Sequence, residues 1–208
     1  MAQGYDCYSP VSAAVAKAMV ANGRTFVARY LNGTSKAMTK SEAQIISAAG
    51  LNIVSLYEWD GNLSSFTANT GTSDANDAIT KAILVGQPGN TPIYFCIDRN
   101  ATPAEMNSNI VPYVQAILAV LGSPSINRYN YKLGIYGSPY VCNYIRGPYA
   151  ATERYMFATF NGWTDSNPPF TAWNLKQYGW NQNLPNYSPS FGVDLVESAS
   201  IGGGGWKL

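Results

Sequence analysis

The stretch Pro92-Ile93-Tyr94-Phe95-Cys96-Ile97-Asp98-Arg99-Asn100-Ala101-Thr102-Pro103-Ala104-Glu105 holds one complete unit of the fold. Pro92–Ile97 are apolar or aromatic without alternation, as in a strand buried on both faces of a parallel sheet. An acid, Asp98, ends the run. Thr102-Pro103-Ala104-Glu105 then reads as a capping box with Pro at the first helical position. It opens a helix carrying Ile110, Val114, Ile117, Leu118 and Leu121. Pro112 lies inside that helix and should kink it or restart it.

The same order recurs on either side. Strand candidates are 4–8, 25–31, 52–59, 92–98, 132–136, 155–160, 172–178 and 192–196. Helical stripes separate the early ones. Val11, Val15 and Met19 form one, closed by Asn22-Gly23. Thr39-Lys40-Ser41-Glu42 is a second capping box, opening a helix with Ile45, Ile46 and Ala49. Ala75, Ala78, Ile79, Ala82 and Ile83 form a third stripe. Strand–helix alternation on a parallel sheet means α/β. Eight strands predict a compact (β/α)8 TIM-like barrel, with a doubly wound open sheet as the rival. Such barrels typically need about 250 residues. With 208 here, some helices must be short or missing. The loss falls in the second half, between Phe160 and Ala172 and between Tyr178 and Gly192, where no helical period is visible. Residues 1–200 read as one domain, and 201–208 as a Gly-rich tail or cloning scar.

Composition narrows the chemistry. The chain has 13 Lys+Arg, 12 Asp+Glu and no His. Without His there is no Ser-His-Asp triad, no Cys-His dyad and no His-bearing metal site. Acid–base work near neutrality falls to carboxylates, Tyr, Lys or Cys. The balanced charge argues against nucleic acid as a partner. No apolar run approaches the 18 or so residues of a membrane helix, so no membrane partner is expected. Cys7, Cys96 and Cys142 match no zinc or redox spacing and read as small buried residues. Only 12% of residues are charged, leaving a surface of Asn, Ser, Thr, Gly and Tyr. That texture, common among secreted and cell-wall-associated proteins, sets the expected location. A leader trimmed from the chain is expected with it, since Met1-Ala2-Gln3 is not a signal peptide.

Barrel enzymes keep their functional residues at the C-terminal ends of the strands. Four acids meet that test: Asp6, Glu58, Asp98 and Asp194. Glu42, Asp74, Asp77, Glu105, Glu153 and Asp165 fall instead on helices or loops. Carboxylates that converge on one rim repel one another, which raises some of their pKa values and keeps an acid protonated near neutrality. The competing reading is that some of them cap loops or pair with Arg29 and Arg99. Chemistry that uses paired carboxylates, with no cofactor, no metal and no His, is glycoside hydrolysis. Aromatics at strand ends would stack on sugar faces: Tyr30, Tyr57, Trp59, Tyr136, Trp163, Trp173 and Tyr178. Arg29 and Gln177 are the polar substrate-binding candidates beside them.

Phe26-Val27-Ala28-Arg29-Tyr30-Leu31, Lys36 with Thr39 and Glu42, Ala49-Gly50-Leu51-Asn52-Ile53-Val54 and Tyr57-Glu58 together carry a resemblance. So do Pro92–Asp98 with Ala101-Thr102-Pro103, and Gly134-Ile135-Tyr136-Gly137. In this order they resemble the glycoside-hydrolase-like family catalogued as domain-of-unknown-function family 1906. The resemblance covers most of residues 4–198. It implies a TIM-like barrel related to the lysozymes of glycoside hydrolase family 25. Those carry an Asp after the first strand, an Asp-x-Glu on the fourth and a Val-Asp near the last, which Asp6, Asp98 and Val193-Asp194 match. Asn100 stands where the lysozymes have their second carboxylate, and an amide is no general acid. Glu58 is then the substitute acid. Asp98 becomes nucleophile, base or orienter, and Asp6 and Asp194 shape the field and bind substrate. The expected activity is hydrolysis of a cell-wall polysaccharide, foremost peptidoglycan, by a monomer. The alternatives are a non-catalytic carbohydrate-binding barrel, and a Ca²⁺ or Mg²⁺ site built from the same acids.

Overall fold

The structure, a computed structural model, describes residues 1–147, 155–160, 162–163, 170–199 and 202–208. Glu153 and Asp165 lie outside the described residues. Eight strands close a barrel in chain order. They are β1 (Gln3–Asp6), β2 (Phe26–Tyr30), β3 (Asn52–Tyr57), β4 (Pro92–Ile97), β5 (Lys132–Gly137), β6 (Tyr155–Thr159), β7 (Leu175–Asn183) and β8 (Gly192–Ser198). Closure excludes the open-sheet rival. The helices are α1 (Ala13–Ala21), α2 (Lys40–Ala48), α3 (Ala68–Val85), α4 (Pro103–Glu105), α5 (Val111–Leu121) and α6 (Pro139–Arg146). Among the described residues none follows Arg146, in keeping with a helix-poor second half. No described helix is long and apolar enough to cross a membrane.

Local signals work where expected. Thr102 and Glu105 form the reciprocal capping box. A π-helical turn at Met106–Ile110 then resets the chain, and α5 begins at Val111 with Pro112 in its first turn, where a missing N–H costs little. Thr39 caps α2 by accepting from the Glu42 N–H, but the Glu42 carboxylate does not return to the cap. It turns inward to Arg29 and to the Val11 N–H.

One expectation fails. β1 to β7 run parallel, but β8 is antiparallel to both β7 and β1. β7 also starts later and runs further than 172–178. Its arm Gly179–Asn183 is polar and bulged and pairs with β8 as a hairpin. A strand with one wet face need not read as apolar, so this arm looks like loop in sequence.

Side-chain alternation sorts the barrel into two cores. Phe26, Val54, Leu56, Tyr94, Phe157 and Val196 fill the interior. Tyr5, Val27, Ile53, Phe95 and Ile135 face outward against the helices. The interior is tight at its narrow levels: a Cβ on Gly4 would lie 2.4 Å from the Phe26 ring, and one on Gly134 2.7 Å from Tyr94. Cys7, Cys96 and Cys142 are buried, as expected.

The Gly-rich tail is not a loose linker. Trp206 is 3% exposed and makes two antiparallel backbone hydrogen bonds with Ile53, at 2.7 and 2.9 Å. Its indole N–H donates to Ser55 Oγ at 2.9 Å, and the Gly203 carbonyl accepts from the Tyr94 hydroxyl at 3.0 Å. The tail runs beside the start of β3 and past Pro92, where β4 begins. The glycines allow this approach: a Cβ on Gly203 would lie 2.5 Å from the Leu175 side chain.

Candidate active site

Adjacent strand residues point to opposite faces, so the barrel must separate three pairs named from sequence: Arg29/Tyr30, Tyr57/Glu58 and Gln177/Tyr178. Tyr30, Glu58 and Gln177 face the mouth. Arg29, Tyr57 and Tyr178 do not. Arg29 is fully buried on the outer side of β2. Its Nε donates to Glu42 Oε1 at 2.7 Å, Nη1 to the Cys7 and Tyr8 carbonyls at 2.5 and 2.9 Å, and Nη2 to the Lys36 carbonyl at 3.0 Å. With its donors so engaged, it ties two rim loops to α2. The Tyr57 hydroxyl donates to Asp77 on α3 at 2.9 Å and accepts the Trp59 indole N–H at 2.8 Å. Tyr57 thus steadies Trp59, which is 58% exposed on the rim. Tyr178 donates to Gln3 at the start of β1. Trp173 packs at the edge of the outer core.

The four acids do converge. Asp6 ends β1, Glu58 and Asp98 directly follow β3 and β4, and Asp194 lies near the start of β8. Because β8 runs backwards, its start reaches the rim where the other strands end. Asp194 is the direct cross-strand partner of Asp6. That register sets their Cβ atoms about 4.5–5.5 Å apart. The two guanidiniums that could have neutralised these acids are engaged elsewhere, Arg29 with Glu42 and Arg99 with Glu105.

Each acid has its own surroundings. Asp6 is 2% exposed, and neither carboxyl oxygen has a hydrogen-bond partner among the described residues. Burial, then the Asp194 and Glu58 carboxylates, push its pKa well above the ordinary carboxylate value, and Arg29 opposes them. Asp98 stands exposed on the rim, yet desolvation of its carboxyl and then Glu58 push it up to about 6, with Lys36 opposing. Solvent on its open side tempers the effect. Asp194 is also raised by burial, although its oxygens accept from the Asn181 N–H and from Gln177 Nε2, both at 2.7 Å. Gln177 in turn accepts from the Tyr136 hydroxyl at 2.9 Å. Glu58 forms an ion pair with Lys36, and its backbone N–H donates to Asn32 Oδ1 at 2.8 Å.

A cleft of about 280 Å³ opens beside them, lined by Asp98, Tyr136, Thr159, Trp163, Gln177, Trp180, Asn181 and Asp194. Its neighbour, about 160 Å³, lies between Asp6–Ser9 and Asn181 with Gly192–Asp194. A larger hollow of about 350 Å³ sits at the opposite floor, under the Gly-rich tail, and contains none of the acids. Among the described residues no three His, Cys, Asp or Glu side chains are grouped to hold a metal. Sequence reasoning overlooked Trp180, Asn181 and Thr159, and gave Lys36 no role. For Trp180 and Asn181 the available signal was an aromatic followed by an Asn-rich run, Trp180-Asn181-Gln182-Asn183, just after a strand. Nothing local marks a loop lysine such as Lys36.

Three of these carboxyls bind protons more tightly folded than unfolded. Stability therefore falls as the pH rises from about 4, the unfolded value, through the raised folded values. Asp6→Asn keeps the shape and removes the buried acid. We expect it to stabilise the fold at pH 7 by about 2 kcal/mol, or roughly 4–8 °C in Tm, and to flatten the decline between pH 4 and 8. Calorimetry across that range checks this; an unchanged or lower Tm at pH 7 overturns it.

Comparison with known proteins agrees with this geometry. YbfG of Bacillus subtilis (strain 168) is 31% identical over 209 residues, covering 93% of this chain and 28% of that protein. "Putative peptidoglycan hydrolase Rv2525c" of Mycobacterium tuberculosis is 32% identical over 90 residues, 42% of this chain and 38% of that protein. The matched stretches thus cover well under half the length of either curated relative. The crystal structure of the Tat-secreted M. tuberculosis protein Rv2525c superposes with a TM-score of 0.79 at 21% identity, covering 99% of this chain and 98% of that one. A bacterial lysozyme from Streptomyces coelicolor superposes with a TM-score of 0.59 at 14% identity, covering 96% and 92%. These likenesses bear on the fold. Residues 17–195 match the family described as Rv2525c-like, glycoside hydrolase-like domain. With its closed barrel and its rim of carboxylates, the chain belongs to that glycoside hydrolase-like family.

Proposed function

We propose that the chain hydrolyses glycosidic bonds of a cell-wall polysaccharide, peptidoglycan foremost, by carboxylate acid–base catalysis at the mouth of the barrel. The observation that carries this reading is the convergence of Asp6, Glu58, Asp98 and Asp194 on one rim, with Lys36 as the ammonium set among them. The relative named "Putative peptidoglycan hydrolase Rv2525c" and the lysozyme among the structural neighbours support the substrate class. A secreted or wall-associated location goes with that substrate, and Rv2525c is Tat-secreted.

We assign the two roles the other way round from the sequence reading, and the surroundings of each acid support the exchange. Asp98 holds its proton up to about pH 6 and opens on the cleft, as a general acid must. Glu58, engaged by an ammonium, is placed to act as carboxylate: nucleophile, base or stabiliser of the oxocarbenium-like transition state. Asp6 and Asp194 bind substrate and shape the field. Tyr30, Trp59, Trp163, Trp180 and Tyr136 offer aromatic surface to the sugar.

Release of reducing ends from purified peptidoglycan tests this. Because Asp98 is protonated below about 6, activity should fall as the pH rises through that value. Activity that instead rises between pH 5 and 8 rejects Asp98 as the acid. Asn100 at the lysozymes' second-carboxylate position favours one alternative, a barrel that binds glycan without cleaving it. Saturable binding with no reducing ends released after long incubation would establish it.

A further inference from the structure

We propose that Lys36 is a positioning residue for the rim carboxylates, its ammonium fixed by the loop against Glu58 and so setting the field in which Asp98 works. This inference rests on the hydrolase reading above. Lys36 is 8% exposed, an unusual place for a lysine unless it is paired. Its ammonium bonds the Glu58 carboxylate and lies 4.2 Å from the centroid of the Tyr30 ring. The Tyr8 ring is 6.0 Å away. Among the described residues Glu58 is the one rim acid of the four that has an ion-pair partner.

The loop around Lys36 is built to hold it. Gly33 sits at φ +99, and a Cβ there would fall 2.7 Å from Lys36 Cγ, so the lysine stem packs on bare backbone. The Lys36 carbonyl accepts from Arg29, which Glu42 and the Cys7 and Tyr8 carbonyls hold in turn. Ala37 bridges to Tyr30. The same loop grips Glu58 twice, through Lys36 at the carboxylate and through Asn32 at the backbone N–H. A fully buried guanidinium and a glycine at positive φ give a surface lysine nothing it needs. They do give an ammonium a fixed place beside one carboxylate.

The titratable groups that bear on Asp98, Lys36 and Glu58 are Asp6 from β1 and Tyr8 after it, Tyr30 and Arg29 from β2, Cys96 from β4, Tyr136 from β5 and Asp194 from β8. Lys36 is the cation that opposes the rise at Asp98. Removing it should therefore raise the Asp98 midpoint.

The test is a carboxyl ¹³C NMR titration of the full chain, with kcat and KM on peptidoglycan measured alongside. In Lys36→Met we expect the Asp98 midpoint to move up by about 0.5 pH unit or more. We expect kcat to fall on the order of tenfold or more, with KM little changed. Lys36→Arg should keep the wild-type midpoint and recover most of kcat. Lys36→Gln gives a second neutral variant if Lys36→Met does not fold. An unmoved Asp98 midpoint in a folded neutral variant overturns the role of Lys36 and leaves the hydrolase reading standing. A moved midpoint in a protein that releases no reducing ends keeps Lys36 as the residue that sets the carboxylates, and overturns the hydrolase reading instead.

Discussion

On the mechanism proposed above, replacing Asp98 by Asn should lower the hydrolysis of peptidoglycan by about 10²–10⁴-fold, while kcat/KM for a glycoside with a good leaving group, which reads the first cleavage step, stays close to wild type. The asymmetry follows from the role. A sugar alcohol leaves only if its oxygen is protonated, and general-acid help of this kind is worth that factor. A phenolate with a low pKa leaves unaided, so losing the acid costs it little. Glu58→Gln must behave differently. If the Glu58 carboxylate attacks or stabilises the cationic transition state, its amide fails on both substrates, because neither leaving group can replace that charge. Both replacements are isosteric, and far-UV and near-UV circular dichroism should match wild type. A Glu58→Gln protein that keeps full activity removes Glu58 from the mechanism. If Asp98→Asn loses both substrates equally while Glu58→Gln spares the activated one, the two roles are exchanged, and Lys36 is paired with the acid.

Trp206→Ala should be among the most destabilising single changes in the chain. The indole is almost wholly buried at the barrel floor, and its N–H is satisfied by Ser55 Oγ, which itself donates to Gln87. Truncation empties the site and leaves those two groups to re-pair around a void. Large-to-small changes of this kind cost about 3–5 kcal/mol, which for a domain of this size is roughly 6–20 °C in Tm. Trp206→Phe keeps most of the apolar volume and loses the hydrogen bond, so it should cost about 1–2 kcal/mol. Thermal unfolding of the two variants beside wild type settles the matter. A Trp206→Ala protein within 2 °C of wild type would mean that the tail leaves the floor in solution. The active-site variants should show the opposite pattern, with activity lost and stability kept. Asp6→Asn is expected to gain stability, because it removes one of several carboxylates crowded together at the rim.

Much of the barrel is legible in residue order because the signals involved are local. The apolar run Pro92–Ile97, the box Thr102–Glu105 and the stripe of α3 each act within a few residues of themselves. Alternating strands and helices then leave few ways to close a parallel sheet. The positions of Asp6, Glu58 and Asp98 at strand ends belong to the same level. Lengths and composition also exclude His chemistry outright.

Direction and pairing are of a different kind. Whether Arg29 or Tyr30 faces the mouth depends on which face of β2 the barrel encloses, and a one-residue shift would exchange them. Asp194 reaches the rim only because β8 runs against its neighbours, a choice made by the β7–β8 hairpin and by closure against β1. Glu42, which caps a helix in sequence, serves instead as the anchor of a buried guanidinium. The four glycines before Trp206 look like a linker until Leu175, Pro92 and Asn52 are seen pressed against Gly203, Gly204 and Gly205. Lys36, with no motif of its own, meets Glu58 across a loop. The residues alone determined that this chain makes a barrel with acids at its rim and no imidazole. Which of those acids is buried, which is paired and which keeps its proton was decided in three dimensions, because charge interactions depend on distance and burial, and both are set by strands far apart in the chain.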